Sequence, residues 1–287
     1  MRLGKAASAV FAALGCSVTL SSSAGEEVEK KIAKKLDEVR TQAGAGFIVE
    51  RDGLFIVAGN VPRREFDGIV AHTIRRSANA LWASYFTKKP DYPIVIWLFA
   101  DDKSYRDGAK RLFGDTSVSH YGYFRPWDQT MVMNVGTGTG TLVHEMTHAL
   151  LKPDFPDCPT WFEEGLASLH EQCQLLPTSI KGFVNWRLPA LQKAIEAGKL
   201  VPLERLVATT TAEFRGANEP LHYAEARYLV LYLQHKGLLA RFYKEFHDGA
   251  RKDPTGAKTL AAVTGKAIPA LEKEWVIWVK TLRFSER

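Results

Sequence analysis

Two histidines four residues apart, within an apolar stretch, constrain how this chain can fold. They lie in "HEMTH" (His144–His148), between the runs "TLV" and "ALL". Residues at positions i and i+4 share one face of an α-helix, so both imidazoles project to the same side. An apolar sequence around such a pair is typical of a buried helix. The spacing therefore predicts a buried helix whose two histidines can bind one metal ion, with Glu145 beside a water on that ion.

Length and composition are those of an ordinary globular protein. The chain has 287 residues, of which 46% are hydrophobic and 24% are charged, and its formal net charge is +6. Such usage supports a sizeable core in one compact domain or in two lobes. The lysines and arginines are scattered, without a basic stripe interleaved with aromatic residues. This distribution argues against nucleic acid as a partner.

The first 24 residues have the pattern of an export signal. A basic start is followed by an apolar run from Ala6 to Leu20 and by small residues up to Ala24. The run is too short, and too rich in glycine and serine, to span a membrane well. The pattern predicts cleavage after Ala24 and a periplasmic or extracellular protein of net charge +4. Acylation of Cys16, as in a lipoprotein, is the less favoured alternative because Ala13 and Leu14 fit that signal poorly.

Strand patterns occur in the first half of the chain, and helical patterns dominate the second. Two β-rich runs flank Asp52-Gly53 in "FIVERDGLFIVAGN", which predicts a hairpin. The run "YPIVIWLFA" is continuous, β-branched and aromatic, as in a buried strand. Apolar residues with helical spacing surround these strands, and from Leu142 onward the chain is mostly helical. The fold class predicted from these patterns is α+β.

A catalytic zinc site needs a third protein ligand, and two carboxylates are candidates. Asp154 stands six residues after His148, the offset used by metzincins, but Leu151 occupies the position where the metzincin chain turns at a glycine. Glu164 lies in "WFEEGLAS", within a second predicted helix that starts near Pro159. If the two predicted helices pack together, Glu164 meets the histidines.

The motif pair HExxH and W-x-x-E-G-x-A resembles the gluzincin metallopeptidases, above all their bacterial peptidase MA-like group. The family's third zinc ligand is the glutamate before the glycine, which corresponds to Glu164, so the resemblance implies a Zn²⁺ site of His144, His148 and Glu164. Glu163 would then not bind the metal itself and would at most contact one of the ligands. Looser similarity covers residues 90–285 in "PIVIWLFADDKSYRD", "YAEARYLVLYLQHKGLLARFYKEF" and "IPALEKEWVIWVKTL".

The resemblance also implies an architecture and a reaction. The expected zincin-like domain, residues 25–287, has an α/β N-terminal part (25–125) and a part with the catalytic helices and a helical lobe (126–287). Its small twisted mixed sheet lies N-terminal to the helical lobe, with a cleft between sheet and lobe. The expected reaction is hydrolysis of a peptide or protein substrate, with Glu145 as general base. The family stabilises the oxyanion with a tyrosine or histidine, and "LHYAEARY" offers Tyr223 and His222, of which Tyr223 is favoured. The amine-anchoring G-x-M-E-N motif of aminopeptidases does not occur.

Three further expectations can be compared with the structure. Met131–Asn134 is expected to be the sheet's edge strand, along which an extended peptide could lie. His170 and Glu171 are expected to face solvent, because they lie on a different helix face from Glu164. Cys158 and Cys173 can form a disulfide only if the helix between them ends early, near His170, and the chain folds back, or if the segment from Pro156 to Pro159 runs alongside the helix; otherwise they stay thiols.

Two other functions fit the same sequence. A zinc-binding scaffold of the cell envelope would keep the ligands without turnover, although such a protein has no need for Glu145. A metal-free interaction module of the envelope is the third possibility. Metal analysis separates the module from the other two functions, and peptide cleavage separates the peptidase from the scaffold.

Overall fold

The hairpin expected at Asp52-Gly53 forms, and it begins the main sheet. The structure, a computed structural model, describes residues 19–285, with side chains from residue 24 onward. Its strands are β1 (Ile48–Asp52), β2 (Phe55–Gly59), β3 (Ile94–Phe99), β4 (Gly122–Arg125), β5 (Thr130–Asn134), β6 (Cys173–Leu176) and β7 (Ser179–Gly182). The signal predicted for residues 1–24 falls mostly outside the described residues, and Cys16 falls wholly outside them.

The helices lie before, between and after these strands. Those of the N-terminal half are α1 (Thr19–Ala43), α2 (Arg63–Gly68), α3 (Arg75–Ser84) and α4 (Asp102–Phe113), and the π-helical segment Ile69–Ile74 joins α2 to α3. The others are α5 (Gly140–Asp154), α6 (Thr160–His170), α7 (Leu188–Glu196), α8 (Leu203–Leu206), α9 (Thr211–Phe214), α10 (Glu219–His235), α11 (Leu239–Gly249), α12 (Ala257–Thr264) and α13 (Ile268–Thr281), with a 3₁₀ turn at Val135–Thr137. Within residues 19–285, no helix is both long and apolar enough to cross a bilayer.

The main sheet is small and mixed, as the α+β prediction requires. Its strand order is β1-β2-β3-β5-β4, with β2, β3 and β5 parallel and the two outer pairs antiparallel. Both faces of β3 are buried: Ile96 and Leu98 join the core shared with α5, while Trp97 and Phe99 join a second core with α1 and α4. Burial on both faces explains the uninterrupted apolar run of β3.

The edge of the sheet next to helix α5 is β4, so the prediction for Met131–Asn134 is wrong. Those residues form β5, which lies between β3 and β4. The β4 sequence "GYFR" is a weak strand signal because it starts with glycine and ends with a charge. Arg125 is nevertheless buried, because it forms ion pairs with Asp115 at 2.6 Å and Asp128 at 3.0 Å. These partners, one of them ten residues upstream, make the charged strand residue tolerable.

Helix α6 is buried around almost its whole circumference, between α5 and α10. Gly165 is the point of closest approach to α10: a Cβ there would lie 2.9 Å from both the Ala226 carbonyl oxygen and Val230 Cγ2. A glycine directly after Glu164 therefore lets α6 pack closely on α10. The segment "YAEARYLVLYLQHKGLLARFYKEF" is divided into α10 and α11 at Gly237, whose φ is 70°.

Cys158 and Cys173 are free thiols. The straight helix α6 occupies most of the chain between them, and its 11 residues span about 16 Å. The helix does end at His170, but Cys158 precedes its first turn and Cys173 begins β6 beyond its last turn, so the helix keeps the two cysteines apart. Packing, rather than a disulfide, holds α6 in place.

A buried carboxyl group on α10 makes stability depend on pH. Glu225 is fully buried; its Oε1 accepts a hydrogen bond from the Val201 amide, and its Oε2 has no hydrogen-bond partner. Burial and the nearby Glu272 carboxylate raise the pKa of Glu225 to about 8, although the Val201 amide acts to lower it.

We expect Glu225→Gln to remove part of this pH dependence. The folded protein keeps the Glu225 proton while the unfolded chain releases it, so stability falls as pH rises from the unfolded pKa toward 8. The loss at pH 7 is about 3 kcal/mol. The variant should therefore melt higher than wild type near pH 8 and similarly near pH 5. Equal pH profiles of Tm for the two proteins would contradict this assignment.

Candidate metal centre

His144, His148 and Glu164 converge on one point at the contact between α5 and α6. The two histidine Nε2 atoms lie 3.0 Å apart, and Glu164 Oε2 lies 3.5 Å from His144 Nε2 and 3.4 Å from His148 Nε2. Zinc ligands at about 2.0–2.1 Å in tetrahedral geometry lie roughly 3.3 Å from one another. The triangle of donor atoms therefore has the size that a zinc ion requires.

The donor atoms also fit a metal ion chemically. Glu164 is only 2% exposed, and its Oε2 is buried without a hydrogen-bond partner. Its other oxygen, Oε1, accepts a hydrogen bond from Arg215 Nη2 at 2.5 Å. A buried carboxylate oxygen without a donor is costly, and a cation between it and the two imidazole nitrogens would satisfy it. Two imidazoles and one carboxylate form a ligand set typical of catalytic zinc.

A carboxylate contacts the far nitrogen of each histidine. Glu163 Oε1 lies 3.0 Å from His148 Nδ1, and Glu171 Oε1 lies 3.3 Å from His144 Nδ1. Such contacts fix the orientation of a ligating imidazole and leave Nε2 for the metal. Glu163 thus contacts His148, as expected of a residue beside a ligand.

The expectation that His170 and Glu171 face solvent is wrong. His170 is fully buried, with Nδ1 at 3.2 Å from Thr147 Oγ1. Glu171 accepts hydrogen bonds from Arg187 Nη2 at 2.8 Å and from Asn185 Nδ2 at 3.2 Å. His170 is buried because α5 and α10 cover both sides of α6. Glu171 follows the last residue of α6, so the helical repeat does not determine which way its side chain faces.

Without a metal, the centre holds protons. Burial acts to lower the pKa of His144, but the adjacent Glu164 and Glu171 carboxylates outweigh it and raise that pKa to about 9. Burial likewise opposes protonation of His148, while the Glu164 and Glu163 carboxylates raise its pKa well above the ordinary value. Burial raises the pKa of Glu164, but the two histidines lower it well below the usual range. A metal ion must therefore displace imidazole protons, so its affinity should fall as pH falls.

Glu145 lines the cleft next to the triad and is not part of the triad. It is half-buried on α5. Within the described residues, it forms no ion pair with the other charged residues that line the cleft. Burial raises the pKa of Glu145, whereas the positive charges of His144 and His148 lower it, and the net effect is upward. A carboxylate with a raised pKa beside a metal site can accept a proton from a water there.

Tyr223 lies at the site, whereas His222 and Asp154 do not. Tyr223 lines the cleft, and its hydroxyl faces the Glu164 carboxylate; burial and that carboxylate raise its pKa. His222 is buried, and its Nδ1 is bonded to the Phe214 carbonyl oxygen at 2.8 Å. Asp154 is held away from the histidines, where its side chain accepts bonds from Thr87, Lys88 and Tyr243.

The cleft extends to both sides of the triad. A cavity of about 400 Å³ on one side is lined by Phe124, Pro126 and Arg215, and one of about 730 Å³ on the other by Tyr121, Gly140 and Trp186. His144, Glu145 and Tyr223 line both cavities. The β4 edge forms one wall and the helical part the other, so the expected cleft between sheet and helices is present.

Arg215 belongs to the site, and sequence reasoning missed it. It follows α9 in "TAEFRGANEP", about fifty residues after Glu164, and no motif marks it. Because its guanidinium holds Glu164 Oε1, it leaves Oε2 directed at the histidines. The guanidinium is 51% exposed, so water screens its charge, and its effect on the carboxylate orientation should dominate.

We expect Arg215→Met to weaken zinc binding by about tenfold. This is the lower end of the range seen when a residue that contacts a metal ligand is removed. Lys152→Met is the matched control, because it removes a positive charge that lines the same cleft without contacting Glu164. Competition with a chromophoric chelator measures both variants. A similar change in the two would mean that Arg215 acts through its charge alone.

Neither the models of known protein families nor the curated protein sequences that were searched match this chain.

Proposed function

We propose that this protein is a zinc-dependent peptidase, which its predicted export signal would place outside the cytoplasm. One observation carries the proposal: two histidine Nε2 atoms and an unpartnered buried oxygen of Glu164 converge beside Glu145 in an open cleft. The motif resemblance to gluzincins supports the same function. A scaffold needs only the three ligands, whereas hydrolysis also needs a general base in the position of Glu145.

Each residue of the proposed site has a distinct role. His144, His148 and Glu164 would hold zinc, which when bound polarises a carbonyl and activates a water. Glu145 accepts the water proton and passes it to the leaving amine. Tyr223 and Arg215 are the donors best placed to stabilise negative charge on the carbonyl oxygen. Both line the cavity next to the ligands.

The substrate backbone would lie along β4. Because the Asn134 amide donates to the Tyr121 carbonyl oxygen at 3.0 Å, the alternation of an antiparallel pair turns the N–H and C=O groups of Gly122 and Phe124 away from β5. These groups are free to pair with an extended peptide. We thus assign to β4 the role first expected of Met131–Asn134.

Metal analysis combined with peptide cleavage tests the proposed function. We expect about one zinc per chain, cleavage of a peptide library by the zinc-loaded protein, loss of cleavage with a chelator, and recovery on zinc addition. About one zinc with no cleavage would support the scaffold instead. No metal binding would exclude both functions and leave the interaction module.

A further inference from the structure

We propose that the peptidase is an endopeptidase that binds an internal, extended segment of its substrate, with an apolar side chain of that segment against Trp186. This inference rests on the proposed function and specifies its substrate class. It follows from the charge pairing within the cleft, the continuity of the cleft past the triad, and an exposed aromatic groove beyond one end.

Most carboxylates of the cleft already have a partner within the protein. Among the residues that line the two cavities, Glu163 contacts His148, Glu164 contacts Arg215, and Glu171 contacts Arg187. Glu145 is the remaining carboxylate, and it serves as the general base. An aminopeptidase must hold an ammonium group with a carboxylate that is free to receive it.

The cations of the cleft are engaged in the same way. Arg215 and Arg187 donate to Glu164 and Glu171, and Lys152 Nζ donates to the Pro156 carbonyl oxygen at 2.7 Å. These three are the lysines and arginines that line the two cavities. A carboxypeptidase needs a cation, most often a bidentate arginine, that is free to hold the terminal carboxylate. Apart from Glu145, each charged group that lines the two cavities thus already has a partner within the protein.

The cleft does not end at the triad. The two cavities share His144 and Glu145, so a bound chain can continue in both directions from the reacting bond. The free backbone groups of β4 pair with any extended main chain and do not require a terminus. This arrangement fits an internal segment better than a chain end.

Beyond the larger cavity, the cleft continues into an aromatic groove. The groove, of about 760 Å³, is lined by Phe183, Val184 and Phe284 and shares Gln172 and Trp186 with that cavity. Trp186 is 53% exposed and Phe183 is 40% exposed, so each presents a large apolar surface to solvent. Exposed aromatic surface continuous with a substrate cleft is typical of a binding site. An apolar substrate side chain is the occupant that matches it.

Peptides with blocked and free ends test the endopeptidase inference. Zinc-loaded protein is given internally quenched peptides of about twelve residues, long enough to cover the cleft and the groove. One set is acetylated and amidated, and the other has free ends. We expect internal cuts by mass spectrometry and values of kcat/KM within about threefold of each other, since the termini make no specific contact. A loss of more than about tenfold on blocking would overturn the inference while the peptidase function stands. Failure to cleave either set would reject both.

Trp186→Ala tests the groove. The ratio of kcat/KM for peptides of about twelve residues to that for peptides of about six should fall roughly tenfold, because only the longer ones reach an aromatic contact worth about 1–2 kcal/mol. Ile277→Ala removes an exposed apolar side chain on α13, outside the cleft, and should leave the ratio unchanged. An unchanged ratio in Trp186→Ala would exclude the groove as a substrate site.

Discussion

Glu164→Gln is expected to weaken zinc binding at least about a hundredfold, because it removes the one anionic ligand of the proposed triad. This effect is larger than that of removing a residue that only contacts a ligand, such as Arg215. Its Oε2 lies within 3.5 Å of both histidine Nε2 atoms and has no other partner. A neutral amide in its place offers a weaker oxygen ligand, or an N–H group that repels the cation. Zinc affinity is measured by chelator competition at fixed pH, because the imidazole protons compete with the metal.

The control for this variant is Asp154→Asn, which tests the alternative third ligand. Asp154 bonds to Thr87, Lys88 and Tyr243 and makes no contact with the triad. Loss of its charge should lower Tm, because a buried network is disturbed, but should leave the zinc affinity of the folded protein nearly intact. The reverse order of affinities would reject Glu164 as the ligand and support a metzincin-like site.

Glu145→Gln is expected to lower kcat/KM for peptide cleavage about 10²- to 10⁴-fold, the usual contribution of a general base. Glutamine has nearly the same shape but cannot accept the water proton. Glu145 is outside the ligand triad, so zinc stoichiometry and peptide affinity should match those of wild type. Zinc content, peptide binding by fluorescence, and single-turnover cleavage are measured on the same preparation.

Two outcomes would contradict this assignment. Cleavage at the wild-type rate would mean that another group activates the water. Loss of zinc together with activity would mean that Glu145 acts in metal binding, so its role as a base would have no support.

Local patterns were sufficient for the hairpin, for β3 and for the two histidines of the candidate metal centre. The hairpin follows from Asp52-Gly53, where Asp52 ends β1 and Gly53 begins the turn, and the buried strand β3 follows from its apolar run. His144 and His148 share a helix face because they are four residues apart, and this spacing does not depend on the rest of the chain. The α+β class could be predicted for the same reason.

The position of β4 and the burial of α6 could not be read from sequence. Register and edge position depend on which strands pair, and β4 lies at the edge because it pairs with β5 on one side only. His170 is buried because α5 and α10 cover both sides of its helix, which no periodicity within α6 reveals.

The sequence by itself determined the helix with its two imidazoles and the adjacent Glu145, since their spacing is set by one helical turn. Only the tertiary structure decided which groups surround them. Arg215 contacts Glu164 across 51 positions, and Arg187 contacts Glu171 across 16. Such contacts depend on the path of two loops, the one between α9 and α10 that carries Arg215 and the one after β7 that carries Arg187. The sequence does not show which residue pairs with an arginine that belongs to no motif. The pairing becomes necessary only when packing removes water from both charged groups, because a buried charge without a partner is costly.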